Sequence, residues 1–127
     1  EDSYNANPLS VHAALDALHD LGLPGRRIAV LADMLELGPS APELHQQIGA
    51  IVPELADWLF TYSALAEDIA RGARNAGLDD DRIFSAANQD ELIEHLLGLL
   101  ESGDRVLIKG SRGMRMERVV EALRANG

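Results

Sequence analysis

The sequence predicts an α/β fold of the Rossmann-like kind, a three-layer domain built on a mainly parallel sheet. Three observations carry that reading. Apolar stretches with helical spacing alternate with short strand-like runs along the chain. The connections between them are short and rich in Gly, Pro, Asp and Asn. Two of the strand-like runs, Ile28-Ala29-Val30-Leu31-Ala32 and Val106-Leu107-Ile108, are apolar without alternation, as strands covered on both faces are.

Each element follows in order. Asn7-Pro8 opens a helix, with Asn as cap and Pro at the first helical position, where its missing N–H costs nothing. Val11, Ala14, Leu15, Leu18 and Leu21 continue it with helical spacing to Gly22. After the Pro24-Gly25 turn comes the strand Arg27–Ala32. Leu44, Ile48, Ile51, Val52 and Leu55 mark a second helix, in which Gly49 and Pro53 are expected to weaken or kink the rod. Trp58–Tyr62 reads as a strand, and a helix from about Ala64 to Asn75 ends at Gly77. Asp79-Asp80-Asp81 is a solvated turn before a short strand, Arg82–Ser85. Asn88 caps a helix carrying Leu92, Ile93, Leu96, Leu97 and Leu100, with Glu91 three residues on, as a capping box requires. Val106–Ile108 is the strand expected to be most cleanly buried. The last helix is expected from near Met114, burying Met116, Val119, Val120 and Leu123.

Composition narrows the function. The chain has 127 residues, 46% of them hydrophobic and 25% charged, which suits one soluble domain spanning 1–127. No apolar run approaches the ~20 residues of a membrane span and no leader opens the chain, so a cytoplasmic location and no membrane contact are expected. The first helix has no strand before it, and Glu1 reads as the cut edge of a longer protein. The absence of cysteine removes disulfides and thiol chemistry. A net charge of −10 argues against nucleic acid as a partner. Yet residues 105–118 carry Arg105, Lys109, Arg112, Arg115 and Arg118 against Glu117 alone, and Lys109 is the only lysine. A cationic loop on an acidic body suits a small anion.

Ligands of such sheets sit beyond the carboxyl ends of the strands, which directs attention to 1–8, 32–42, 61–64, 85–88 and 109–114. The chain has neither G-x-x-x-x-G-K-[ST] nor G-x-G-x-x-G, and His12, His19, His45 and His95 are too scattered for a metal site. Two loops stand out. Asp2-Ser3-Tyr4-Asn5-Ala6-Asn7-Pro8 is dense in hydrogen-bonding groups just before a helix. Lys109-Gly110-Ser111-Arg112-Gly113-Met114-Arg115-Met116-Glu117 leaves the last strand. Its glycines are expected to free the backbone for a ligand, with Lys109 as a compact charge and Arg112 as a planar fork for a carboxylate or phosphate. The structural alternatives are that Asn7 only caps its helix, that Ser111 caps the last one, and that Glu117 pairs with a nearby Arg. Met114 and Met116 read as packing residues.

D-S-Y-N-A-N-P at 2–8, L-A-D-M-L-E-L-G at 31–38, H-Q-Q-I-G at 45–49 and K-G-S-R-G-M-R-M-E at 109–117 together resemble the C-terminal domain of the MurF family. These are the UDP-N-acetylmuramoyl-tripeptide:D-alanyl-D-alanine ligases of bacterial peptidoglycan synthesis, one branch of the Mur ligases. The family usually has Gly where this chain has Ala32, a methyl expected to crowd the loop slightly. The resemblance implies the third domain of a three-domain, monomeric enzyme. That enzyme makes an acyl phosphate from ATP and the tripeptide carboxylate, which the amine of D-Ala-D-Ala then attacks. It also implies that ATP and Mg2+ are held mainly by the central domain, so this chain alone contributes no catalytic residue and no metal ligand. Asp2 would hold the ATP ribose, with Tyr4, Asn5 and Asn7 lining the nucleotide side. Lys109, Ser111 and Arg112 would meet the dipeptide, and Asp33 and Glu36 would orient its ammonium. A rival class is a phosphoacceptor receiver domain, with Asp33 as acceptor, Lys109 at the last strand's end and Ser85 as its hydroxyl residue.

Overall fold

The computed structural model describes residues 6–22 and 24–126, except the side chains of Arg112 and Asn126. The elements are α1 (Pro8–Asp20), β1 (Arg27–Ala32), α2 (Ala41–Leu55), β2 (Trp58–Tyr62), α3 (Ala66–Asn75), β3 (Ile83–Ala86), α4 (Gln89–Leu99), β4 (Arg105–Lys109) and α5 (Glu117–Asn126). Single 3-10 turns lie at Gly38–Ser40, Asp80–Arg82 and Arg112–Met114. All strand pairs are parallel, in the order β3-β2-β1-β4. The expected α/β class and element order are those observed.

Alternation along the strands sorts the core into two layers. Ala29, Leu31 and Leu59 face α1, α2 and α3, meeting Val11, Leu15, Ile48, Val52, Ile69 and Ala73. Ile28, Val30, Ala32 and Phe60 face α4 and α5, meeting Leu92, Leu96, Met116 and Val119. Central β1 is covered on both sides, and Ile28, Ala29 and Val30 are fully buried.

Some local expectations need correction. β4 is not the best-buried strand: it is the sheet edge, and all five of its residues are only half-buried. β3 begins at Ile83 because Asp80–Arg82 closes a 3-10 turn first. α5 begins at Glu117 because Arg112–Met114 forms its own turn and Arg115 is left-handed, at φ 54°. Leu21 caps α1 and is 55% exposed rather than packed. Asn88 caps α4 through the Glu91 N–H, but the Glu91 carboxylate reaches back to the Ala87 N–H instead of that of Asn88.

α2 runs unbroken through Gly49 and Pro53. Gly49 is there because α3 crosses at backbone distance. A Cβ on Gly49 would run into the Ile69 carbonyl, and one on Gly72 into the Gln46 carbonyl. The helix propensity given up at these positions buys the closest contact between two helices.

Candidate functional site at the carboxyl ends of the strands

The site is built from three segments: the residues entering α1, the loop after β1, and the loop after β4. Register brings the last two together, since β1 and β4 are neighbours and Leu31 pairs with Lys109. One step further, the Ser111 N–H donates to the Asp33 carbonyl at 3.0 Å. The Ser111 hydroxyl accepts the Leu35 N–H at 2.7 Å and lies 3.5 Å from the Ala6 carbonyl, toward which it donates. Ser111 is 6% exposed. Its hydroxyl therefore works inside the domain, tying all three segments, rather than capping α5, which begins at Glu117.

Asp33 is 4% exposed, and its Oδ1 accepts the Leu65 N–H at 3.0 Å, which fastens the loop after β2 as well. Glu36 lies outside this bonded knot. It is exposed and left-handed, at φ 64°, a conformation that costs a residue with a Cβ. Lys109 is half-buried at the end of β4, and its side chain has no hydrogen bond or ion pair among the described residues. Its ammonium is one cation at this end of the sheet.

Asn7 caps α1 in both directions. Its side chain accepts the Ser10 N–H at 2.9 Å, and the Ser10 hydroxyl accepts the Asn7 N–H at 3.0 Å. Asp2, Tyr4 and Asn5 lie outside the described residues, as does the Arg112 side chain. Glu117 is exposed and forms no ion pair among the described residues, which leave out the Arg112 side chain.

The two glycines of the β4 loop meet close neighbours within the domain. Neither Gly110 nor Gly113 has a positive φ. Gly110 lets the loop pack on β1, because a Cβ there would sit 2.8 Å from the Ala32 methyl and 3.2 Å from Met116 Cγ. One methyl fits at that contact, and Ala32 supplies it, 3% exposed. A Cβ on Gly113 would stand 3.0 Å from Leu35 Cδ1.

A family model for the Mur ligase, glutamate ligase domain, matches residues 2–112, which includes the first two segments and the start of the third. The chain belongs to the Mur ligase glutamate ligase domain family. It is 37% identical over 123 residues to the UDP-N-acetylmuramoyl-tripeptide--D-alanyl-D-alanine ligase of Bacillus subtilis (strain 168), with 96% of this chain and 27% of that one covered. The enzyme of the same name from Escherichia coli (strain K12) is 34% identical, over 100% of this chain and 27% of its own. Among solved structures, MurF from Acinetobacter baumannii superposes with a TM-score of 0.79 at 31% identity, covering 96% of this chain and 27% of that one. MurF ligase from Thermotoga maritima in complex with ADP gives 0.76 at 28% identity, covering 98% and 27%. This Mur ligase domain thus spans about a quarter of the length of the relatives it matches.

Membership also closes the receiver alternative on chemical grounds. A phosphoacceptor carboxylate must be reachable, and in this Mur ligase domain Asp33 is buried and occupied by the Leu65 amide. Ser85 is on β3, two strands from β1, and its hydroxyl accepts from Thr61.

Two residues that sequence reasoning left without a role also shape the domain's ligand edge. His45, 0% exposed, accepts the Met34 N–H at Nε2. Gln89, 6% exposed, donates its amide to the Met114 and Arg115 carbonyls and so holds the far side of the β4 loop. The sequence signal for His45 was its place inside a motif. Gln89, a polar residue at a helix start, carried none.

Proposed function

We propose that the chain is one domain, residues 1–127, of a longer ATP-dependent amide ligase that joins D-alanyl-D-alanine to UDP-N-acetylmuramoyl-tripeptide. The names of the relatives support this reaction, and so does the coverage of about a quarter of their length. The observation that carries the reading is the Ser111 junction. It joins Ala6, Asp33 and Leu35 to the loop after β4 at one edge of the sheet, which supports a shared site there.

In this reading the other domains of the same chain hold the nucleotide triphosphate and Mg2+. Asp2, Tyr4, Asn5 and Asn7 line the nucleotide side. Lys109 and Arg112 hold the dipeptide carboxylate, Glu36 faces its ammonium, and buried Asp33 and Ser111 keep the loops in place. The domain's contribution is positioning. Fixing an amine against an acyl phosphate removes several kcal/mol of barrier, and closure of the domain excludes the water that would hydrolyse the intermediate. The enzyme then acts as a cytoplasmic monomer in cell-wall synthesis, and through it in cell shape and division.

Alanine substitution of Lys109 or Arg112 in the complete ligase tests this. Each should lower kcat/KM for the dipeptide by roughly ten- to a hundred-fold, the loss of one charge-assisted hydrogen bond. Arg112→Ala should act mainly on KM, and Lys109→Ala on kcat as well. Stability should change by less than about 0.5 kcal/mol, since neither is expected in the core. Unchanged dipeptide kinetics in both stably folded variants would remove this edge from the site.

A further inference from the structure

His45 is a fully buried titratable side chain to which the proposed chemistry assigns nothing. Both its ring nitrogens are committed. Nδ1 lies 2.7 Å from the Ala41 carbonyl, which can only accept, so Nδ1 carries the proton. Nε2 lies 3.0 Å from the Met34 nitrogen, which can only donate, so Nε2 presents its lone pair. The two partners together select one neutral tautomer. Met34 is flanked by the two residues that the Ser111 junction holds, Asp33 through its carbonyl and Leu35 through its N–H. We infer that His45 is a positioning residue for the carboxyl-end site, its Nδ1–H imidazole fixing the Met34 amide and with it the Asp33–Leu35 turn against Ser111.

A helix would not need this arrangement for its own stability. The Ala41 carbonyl belongs to the first turn of α2, and one turn later the ring spans from it to a loop on another element. The bond to Met34 thus couples α2 to the loop that carries Glu36. This inference rests on the proposed site, and its test separates the two.

Two variants decide it. His45→Gln keeps an acceptor near the Nε2 position, whereas His45→Leu fills the space and accepts nothing. In this chain, amide hydrogen exchange should be roughly tenfold faster at Met34 and Leu35 in His45→Leu than in the parent, and largely restored in His45→Gln. The imidazole 15N signals of the parent should show the Nδ1–H tautomer. In the complete ligase, His45→Leu should raise the dipeptide KM several-fold, and His45→Gln should recover it. Unchanged exchange at Met34, equal exchange in the two variants, or acceleration spread evenly over the core would each overturn the inference. So would a loosened loop with parental KM. A parental ligase that does not use the dipeptide would instead overturn the proposed function, with the exchange result still judging the Met34 bond.

Discussion

The two ends of the sheet are built on different principles. At the amino ends of the strands, charge and glycine do the holding. Arg26 grips Asp104 with two hydrogen bonds, 2.9 and 2.6 Å, and also reaches the Leu99 carbonyl. The Asp57 carboxylate accepts the Arg27 N–H while its own N–H returns to the Arg27 carbonyl. The guanidinium groups of Arg26 and Arg82 both lie against the Trp58 ring, 5.9 and 5.6 Å from its centre. The left-handed backbone positions here are Gly22, Gly25, Gly77 and Gly103. At the carboxyl ends, hydrogen bonds to backbone amides and carbonyls, with no ion pair among them, do the holding around Ser111, Asp33 and His45, and the left-handed positions include Glu36, Ser63 and Arg115. Backbone strain in residues that could have been glycine is concentrated where a ligand would sit, next to a lysine with no partner among the described residues. One end is optimised for stability, while the other gives up some stability to hold side chains in place.

The largest expected effect is at the stable end. Asp104→Asn should cost about 2 kcal/mol, the difference between a charged and a neutral hydrogen-bonded partner for Arg26. Its pH dependence sharpens the point. The Arg26 guanidinium, through its hydrogen bonds, holds the Asp104 carboxyl below the usual carboxylate range. The Glu101 N–H helps and burial opposes. A lowered folded-state value means that this stability is complete above the ordinary carboxylate range, about pH 4, and is lost as pH falls through the lowered value. Urea unfolding between about pH 7 and pH 3 should therefore show parent and Asp104→Asn far apart at neutrality and converging in acid. Parallel curves would mean that the pair adds no ionic stabilisation.

Much of this contrast could be read from the chain, and the reason for the remainder is physical. Residues close in sequence announce themselves: Asn7-Pro8 as cap and first turn, and β1 as an unbroken apolar run, both matching the observed bounds. Strand order does not. Val106–Ile108 is as apolar as a central strand, but its exposure depends on which strands flank it, a property of the whole sheet. Glycine packing was hidden for the same reason. Gly49, expected to weaken or kink its helix, is required by a carbonyl of α3, and Gly72 and Gly110 likewise meet a backbone or methyl from a distant part of the chain. The carboxyl-end segments were legible as motifs, but the division of labour within them was not. The family resemblance implies dipeptide contacts for Ser111 and Asp33; their burial and the bonds by which they join loops within the domain appear only in the assembled fold.

A middle-sized effect probes the packing of the site loop. Gly110→Ala should cost about 1–2 kcal/mol by overpacking against Ala32 and Met116. If one methyl is all that this contact admits, the exchange Ala32→Gly with Gly110→Ala should cost less than the two single changes added together, with a coupling above about 0.5 kcal/mol. Thermal or urea unfolding of the four proteins measures it. Additive costs would mean that the β4 loop yields freely, and the carboxyl end would then be looser than its hydrogen bonds suggest.

The smallest expected effect is at Glu36, where the two ends of the sheet differ most. Glycine at a left-handed position relieves strain in the folded chain of about 1 kcal/mol, and it returns a comparable amount through the freer unfolded chain. Glu36→Gly should therefore leave stability unchanged or raise it by no more than about 0.5 kcal/mol, since the side chain is exposed and has no ion pair among the described residues. If stability alone had shaped this position, glycine would serve as well as it does at Gly25 or Gly103. The proposed site gives glutamate a reason to be there, a carboxylate near the dipeptide ammonium, and the Gly variant of the complete ligase should show a raised dipeptide KM. Glu36→Gln distinguishes the carboxylate from the backbone. It keeps the side chain's length and the strained φ, so a KM raised as far as in the Gly variant assigns the effect to charge. A parental KM in Glu36→Gln beside a raised one in Glu36→Gly assigns it to the fixed turn. Parental KM in both would leave the left-handed glutamate without a part in binding and remove the sharpest contrast between the two ends.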